Sequence, residues 1–182
     1  MKSQGKIVEY TMEPGRVHLV FFIMVLPVII VFSAPYVVFW GFTALYQGLV
    51  FFLLYFLPLV IAGIFVHELL HATGWSFFTT RGIRSVKFGF SWKFLAPYCH
   101  CREPLRSPHY AIGTGLPLIV LGVLPGIIGI VLGQGSLVIF GIVFTWTAVG
   151  DIITLYMLRN IGRDVMVYDH PDKMGFFIRQ GS

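Results

Sequence analysis

Four long runs of apolar residues divide the chain, and the polar and charged residues gather between these runs and at the two ends. A helix that crosses a membrane needs about 20 consecutive apolar residues, and each run is long enough. The runs cover roughly 17–40, 46–78, 108–133 and 136–158. The pattern predicts an all-α integral membrane protein with about four transmembrane helices, formed as a single polytopic domain over residues 1–182.

The second run is too long for one straight crossing. Pro58 is expected to kink or break it, which would leave the later part of the run as a helical segment of its own. Prolines also interrupt the first and third runs, and membrane helices tolerate them where neighbours satisfy the freed carbonyls. We therefore expect irregular helices at Pro27, Pro35, Pro117 and Pro125.

Between the second and third runs, residues 85–94 alternate with a period of two, which indicates a strand rather than a helix. One face carries Val86, Phe88, Phe90, Trp92 and Phe94, and the other carries Ser85, Lys87, Gly89, Ser91 and Lys93. The pattern predicts a small interfacial β-hairpin between the second and third spans. Two interpretations remain open: the hairpin covers the cytoplasmic end of the bundle, or its edge pairs with an extended substrate by strand addition.

The composition agrees with a membrane protein. Of the 182 residues, 57% are hydrophobic and only 12% are charged, and the mean hydropathy is +0.82, whereas soluble domains have about 25% charged residues. The net charge of +5 does not indicate a nucleic-acid partner, because the basic residues gather at the ends of the apolar runs. Membrane lipid is the expected partner. The N-terminus lacks the short apolar core of a signal peptide, so the first run is expected to be retained.

The charge of the connections predicts the topology. Basic residues precede the first run, fill the loop 81–106 and follow the fourth run in the tail 159–182, while the connections near 41–45 and 134–135 carry no charge. Cytoplasmic loops carry an excess of Lys and Arg. We therefore expect a multi-pass protein of the cell membrane with both termini and the loop 81–106 in the cytoplasm.

The second run contains the sequence His67-Glu68-Leu69-Leu70-His71, and Glu68 is the one charged residue between Val17 and Thr80. A charge at bilayer depth costs about 2.5–3.5 kcal/mol on insertion scales, so such a residue indicates function. On a helix, side chains four positions apart share one face. His67 and His71 can therefore bind one zinc ion, with Glu68 as the general base that acts on water.

Asp151 is the candidate third metal ligand, because it is the one formally charged residue between Ser107 and Leu158. His71 precedes Arg81 by about ten residues and Asp151 precedes Arg159 by about eight, which predicts similar depths at 1.5 Å per residue. The alternative is an aspartate that packs between helices and bonds to Thr147 or Thr154. If Asp151 binds metal, the same threonines are expected to orient its carboxylate.

Two further polar clusters carry weaker signals. Cys99-His100-Cys101 lacks the two-residue gap that is usual in structural zinc pairs, although a second metal site there remains an alternative. On the cytoplasmic side both thiols are expected to stay reduced. Asp169, His170 and Asp172 are interpreted as a solvated turn before Gly175.

With these residues in view, the chain resembles the membrane-embedded putative zincin peptidases, which are similar in layout to site-2 proteases. The resemblance rests on the His67 to His71 motif with Ala72, on Tyr98-Cys99-His100-Cys101 with Glu103-Pro104, on Gly150-Asp151, and on Asp169-His170-Pro171. It implies a zinc ion held by His67, His71 and Asp151, with Glu68 activating water. Site-2 proteases usually carry Asp-Gly, whereas here the order is Gly150-Asp151.

The sequence therefore predicts an intramembrane zinc metallopeptidase that hydrolyses peptide bonds of membrane-embedded or membrane-proximal segments, with single-span membrane proteins as substrates. We expect no PDZ domain of the kind found in many site-2 proteases, and we therefore expect the membrane core or a regulatory membrane partner to select the substrate. The alternative is a non-catalytic, zinc-stabilised membrane scaffold or pseudoprotease that binds other transmembrane segments. Metal transport is the weaker third class, because the candidate ligands occur at one depth only.

Overall fold

The structure is a computed structural model that describes residues 6–92, 96–171 and 173–180. The described chain is mostly helical, with two small antiparallel sheets. The seven helices of the described chain are α1 Pro14–Trp40, α2 Phe42–Leu54, α3 Phe56–Ser76, α4 Ser107–Pro117, α5 Leu124–Leu132, α6 Gly135–Thr147 and α7 Val149–Leu158. A 3₁₀ turn, Gly82–Ser85, and a π-helical segment, Leu118–Val123, complete the helical part.

The apolar runs form helices as expected, but two of them are divided. The second run contains α2 and α3, which are separated at Tyr55, three residues before Pro58, and α3 carries the His67 to His71 motif. The fourth run contains α6 and α7, which meet at Ala148 with a bend of 54°. By length and composition, three helices could cross a membrane, or four if the bent pair is one span.

The prolines have different effects in the first and third runs. Helix α1 continues through Pro27 and Pro35 without a break, so neither proline divides the first run. In the third run, the π-helical segment begins directly after Pro117. Wider helical turns of this kind arise where the regular hydrogen-bond ladder is interrupted, and proline has no N–H to donate to that ladder.

Residue contacts group the described chain into two compact units. One unit, residues 18–67 and 117–149, is built from apolar helices around the buried residues Val28, Phe32, Tyr36, Leu45, Val138 and Ile142. Small residues let its helices approach closely: a Cβ on Gly48 would lie 2.3 Å from the backbone of Gly135. Many large apolar side chains on these helices are exposed, which is compatible with a membrane environment.

The other unit comprises the described parts of residues 6–17, 68–116 and 150–180. It contains both sheets and a core of Trp75, Cys101, Leu105, Tyr110, Leu158, Val167, Phe176 and Ile178. The six strands are β1 Lys6–Met12, β2 Val86–Ser91, β3 Ala96–Cys101, β4 Leu105–Arg106, β5 Met166–Asp169 and β6 Met174–Gln180.

The predicted hairpin is present as β2 and β3, which pair antiparallel from Val86 with Cys101 to Ser91 with Ala96. Strand β2 ends at Ser91, so the expected strand is shorter than 85–94, and Lys93 and Phe94 lie outside the described residues. The second sheet, in the order β1-β6-β5-β4, is absent from the sequence-based expectation. The all-α prediction is therefore right for the apolar runs and incomplete at the two termini.

Candidate metal centre

Helix α3 carries the histidines of the motif on one face, because His67 and His71 are one helical turn apart. The His71 side chain is 7% exposed. Asp151 lies in the first turn of α7, directly after the bend at Ala148. The Oδ1 atom of Asp151 is 3.2 Å from the Nε2 atom of His71, and the Asp151 side chain is 15% exposed. The two polar side chains that the sequence selects from different apolar runs therefore do meet.

His67 completes the group. One ligand atom each from His67, His71 and Asp151 can be chosen such that all three lie within 4.8 Å of one another. Among the described residues, this is the one group of three or more His, Cys, Asp or Glu side chains close enough to hold a metal ion. The three residues that the sequence selects as ligands are thus close together in space.

The backbone of α4 fixes the orientation of the His71 ring. The Nδ1 atom of His71 lies 2.9 Å from the carbonyl oxygen of Gly113, and a carbonyl can only accept. Nδ1 therefore carries a proton, and in the neutral ring Nε2, which lies on the side of Asp151, is the nitrogen with a lone pair for a metal. The ring also stacks on Trp75, with centroids 5.2 Å apart and an interplanar angle of 12°. A histidine ligand is usually held in this way, through its other ring nitrogen.

The donor set fits zinc. Two imidazoles and one carboxylate are the ligands of a catalytic zinc ion that keeps a fourth position for water or substrate. Neutral imidazole suits zinc better than the hard cations Ca²⁺ and Mg²⁺, which prefer oxygen ligands. The proton position on His71 supports the same choice, because the nitrogen that faces Asp151 is the one able to bind metal.

The two threonines beside Asp151 have other partners than expected. Thr147 Oγ1 donates to the carbonyl of Phe144 at 3.1 Å, and Thr154 Oγ1 donates to the carbonyl of Gly150 at 3.0 Å. A hydroxyl has one proton to donate, so neither threonine donates to the Asp151 carboxylate. The expectation that they orient it is wrong, because each is closer to a backbone carbonyl of its own helix.

Cys99, His100 and Cys101 lie on β3, where successive side chains point to opposite faces. His100 Nδ1 lies 2.9 Å from Asp169 Oδ2, and Cys101 Sγ donates to the Glu103 carbonyl. Burial raises the pKa of Cys101 to about 11 and, with the charges of Glu68 and Asp169, raises that of Cys99 further. Protonated thiols are poor metal ligands, and within the described residues no second metal group forms.

Asp169 is the functional candidate that sequence reasoning misread. It is not part of a solvated turn, because it ends β5 and accepts hydrogen bonds from the Tyr110 hydroxyl at 2.7 Å and the Cys101 backbone N–H at 3.0 Å. His170 does lie in the turn before Lys173, and Asp172 lies outside the described residues. The sequence signal available for strands here was the β-branched and aromatic residues Val167-Tyr168 and Phe176-Phe177-Ile178.

The comparisons with known proteins give one match. A family model described as putative zincin peptidase matches residues 60–166, which is more than half of the chain and includes His67, His71 and Asp151. Zinc is the metal that this family implies. Neither the comparison with curated proteins nor that with solved structures gives a match.

Proposed function

This chain belongs to the putative zincin peptidase family, and on that premise we propose that it is a zinc metallopeptidase acting on membrane-embedded or membrane-proximal protein segments. The observation that carries the proposal is the group of His67, His71 and Asp151 within 4.8 Å, formed by residues of otherwise uncharged apolar helices. A bundle of lipid-facing helices has little reason to gather these groups unless they bind something.

The roles of the residues follow from their chemistry. His67, His71 and Asp151 would hold the ion, with His71 binding through Nε2 because its Nδ1 donates to Gly113. When bound, zinc supplies a Lewis acid that polarises the scissile carbonyl and makes water more acidic. The Glu68 carboxylate takes a proton from the attacking water and passes it to the nitrogen of the leaving amine. Glu68 can do this because it is next to His67 in the motif without being needed as a ligand.

The membrane setting of the reaction is part of the proposal. The helices α1, α3 and the stretch Ser107–Leu132 are each long and apolar enough to cross a bilayer. Basic residues lie beyond one end of these segments in the loop 81–106 and the tail 159–182. This distribution supports a cell-membrane protein with a cytoplasmic loop and cytoplasmic termini. Because hydrolysis consumes water, the site then needs a cleft open to the cytoplasm.

We assign the β2–β3 hairpin to the substrate. Phe88 pairs with Cys99 across the strands and Phe90 with Pro97, so these four side chains share one face. Burial first and then the charge of Glu68 raise the pKa of the Cys99 thiol, which supports a location of this face near the motif. The half-exposed rings of Phe88 and Phe90 therefore suit contact with an apolar segment of a single-span membrane protein, which must be extended to be cleaved. A regulatory membrane partner would act on the same surface.

The second candidate function is a zinc-stabilised scaffold that binds other transmembrane segments without cleaving them. Helix α2 favours this function, because it has only 13 residues and its exposed side chains, such as Phe42 and Leu54, leave apolar surface that other helices could cover. Both functions need the three ligands. Only the peptidase needs Glu68.

Replacement of Glu68 separates the two functions. Glu68→Gln keeps the shape of the side chain and removes the general base, so we expect zinc content to stay at the wild-type level. The rate of peptide hydrolysis should fall by about 10²–10⁴-fold. The measurement is membrane proteomics of cells that carry wild type or Glu68→Gln, in which an uncut single-span protein accumulates in the variant.

The matched control is Asp151→Ala, which should lose both zinc and cleavage. If the proteomes of wild type and Glu68→Gln are the same while Asp151→Ala changes the cells, zinc is structural and the scaffold function is right. If Glu68→Gln itself loses zinc, Glu68 is a ligand and its assignment as general base is wrong.

A further inference from the structure

Asp169 joins three elements that are far apart in the sequence. Its carboxylate, 12% exposed, accepts from the Tyr110 hydroxyl of α4 at 2.7 Å and from the Cys101 N–H of β3 at 3.0 Å. The His100 Nδ1 of β3 lies 2.9 Å from the same carboxylate. Three partners within 3.0 Å leave this side chain little freedom. The end of β5 is thus fastened to α4 and to the hairpin.

Tyr110 leads from Asp169 to the metal ligands. It lies one helical turn before Gly113, whose carbonyl accepts from His71 Nδ1. The carbonyl of Tyr110 accepts from Trp75 Nε1 at 3.1 Å. The Trp75 ring stacks on Tyr110 on one side, at 5.5 Å, and on His71 on the other, at 5.2 Å. The position of Tyr110 therefore sets both the carbonyl and the ring that fix the His71 imidazole.

The connection from Asp169 to His71 is rigid because the side chains that form it are buried. Trp75 and Tyr110 are each only 3% exposed, so neither ring can move without displacing its neighbours. The Tyr110 hydroxyl would lie in this closed core without a strong acceptor if Asp169 were removed. A buried hydroxyl that loses its acceptor destabilises the folded state. We expect α4 to shift so that the Tyr110 hydroxyl finds another partner, and this shift would move the Gly113 carbonyl as well.

We propose that Asp169 is a positioning residue of the metal centre: through Tyr110 it holds α4 at the place where Gly113 orients His71. The inference rests on the proposed zinc site and extends it to the C-terminal strands. Outer partners of metal-binding histidines commonly change metal affinity by about 10–100-fold when they are removed. Asp169 lies further out, beyond Gly113 and Tyr110, but the connection runs through the buried side chains of Tyr110 and Trp75.

The test measures zinc binding of the full chain purified in detergent. Asp169→Ala and Tyr110→Phe should each weaken zinc binding by about 10–100-fold, measured by competition with a chelator. Both should also change the visible spectrum of the cobalt-substituted protein, because the spectrum reports the geometry of the ligands. The double variant should bind no more weakly than Asp169→Ala alone, because both changes break one connection.

Lys173→Met is the matched control. Lys173 lies in the same C-terminal hairpin, and its Nζ atom binds Glu9 Oε2 at 2.6 Å, so the change removes a charged contact between the strands. Among the described residues, the hydrogen bonds of Lys173 go to His170 and Glu9 and not to Tyr110 or α4. Zinc affinity and the cobalt spectrum should stay at the wild-type values.

The outcomes distinguish this inference from the proposed function. Wild type that binds zinc, with loss in His71→Ala but unchanged affinity and spectrum in Asp169→Ala and Tyr110→Phe, overturns the positioning role and leaves the peptidase intact. Wild type that binds no zinc overturns both. If Asp169→Ala does not fold, Tyr110→Phe decides, because it removes one oxygen atom and keeps the ring. A lower Tm with unchanged zinc binding would mean that Asp169 is merely structural.

Discussion

Glu103 fastens the segment after α3 to the end of β3. Its carboxylate accepts from the backbone N–H and the hydroxyl of Thr80, at 2.8 and 2.7 Å, from Arg81 Nε at 2.9 Å and from the Ser85 hydroxyl at 2.6 Å. These bonds favour the charged carboxylate and lower its pKa to about 2, with Ser85 first, then Thr80 and Arg81. A single residue thereby fixes the connection between the motif helix and the hairpin.

The lowered pKa of Glu103 predicts how stability depends on pH. A carboxyl with a pKa of about 2 in the folded chain, against an ordinary value of 4.5, contributes its full stabilisation above about pH 4.5 and loses it as the pH falls toward 2. Glu103→Gln should therefore lower Tm at pH 7, and the difference from wild type should shrink below pH 4.5. Glu13→Gln, which removes an exposed charge, is the control. An equal Tm difference at pH 7 and pH 3 would contradict this account.

At the scale of elements, α3 and α4 approach closely through two glycines. A Cβ on Gly74 would lie 2.7 Å from the Cα of Gly113, and a Cβ on Gly113 would lie 2.0 Å from the Trp75 indole. Small residues at a helix contact bring the backbones together. This contact is what places the Gly113 carbonyl within reach of His71.

Alanine at Gly113 should push α4 away from Trp75. Overpacking of this kind costs about 1–3 kcal/mol, so Tm should fall, and zinc binding should weaken because His71 loses its acceptor. Gly115→Ala is the matched control on the same helix, because its Cβ would meet Leu155 at an ordinary 3.5 Å. The helix propensity of alanine, about 1 kcal/mol better than that of glycine, should keep its Tm at or above that of wild type. Equal zinc affinity in Gly113→Ala and wild type would refute the role of this contact.

The elements also divide into those that sequence could predict and those it could not. The helix of His67 follows from the length of its apolar run and the strand around Phe88 from its period of two, and both are present. The pairing of Lys6 with Gln180 in β1 and β6 joins the two ends of the chain, and no local pattern encodes such a partner. The four-stranded sheet is therefore not predictable from local pattern, and its strand β4 has only two residues.

The site shows the same division. His67, His71 and Asp151 could be selected because a polar residue in an apolar run is costly, and the structure brings them together. The partner of His71 is the backbone carbonyl of Gly113. Because every residue has a carbonyl, the sequence could not indicate which one would be this partner. The role of Asp169 was also hidden, because a polar residue near a charged tail has nothing unusual in its surroundings until the fold surrounds it with Tyr110 and β3.

For the whole molecule, the charge distribution predicts which connections face the cytoplasm. A membrane-impermeant thiol reagent can check this in intact cells, with the wild-type protein giving the background of its two cysteines. Gln134→Cys, in the uncharged turn before α6, should be labelled from outside. Arg84→Cys and Arg163→Cys, which are exposed, should be labelled only after the cells are opened. Labelling of Arg84→Cys in intact cells would reverse the orientation and remove the cytoplasmic entry to the site.

The central claim is that His67, His71 and Asp151 bind one zinc ion, and zinc-edge X-ray absorption of the purified protein tests it most directly. The proposed site predicts one zinc per chain with nitrogen and oxygen neighbours at about 2.0–2.2 Å. The spectrum should also contain the scattering from the more distant ring atoms of two imidazole ligands. His71→Ala should lose most of this signal. Sulfur neighbours at about 2.3 Å would move the metal to Cys99 and Cys101 and contradict the account, as would a protein that contains no zinc.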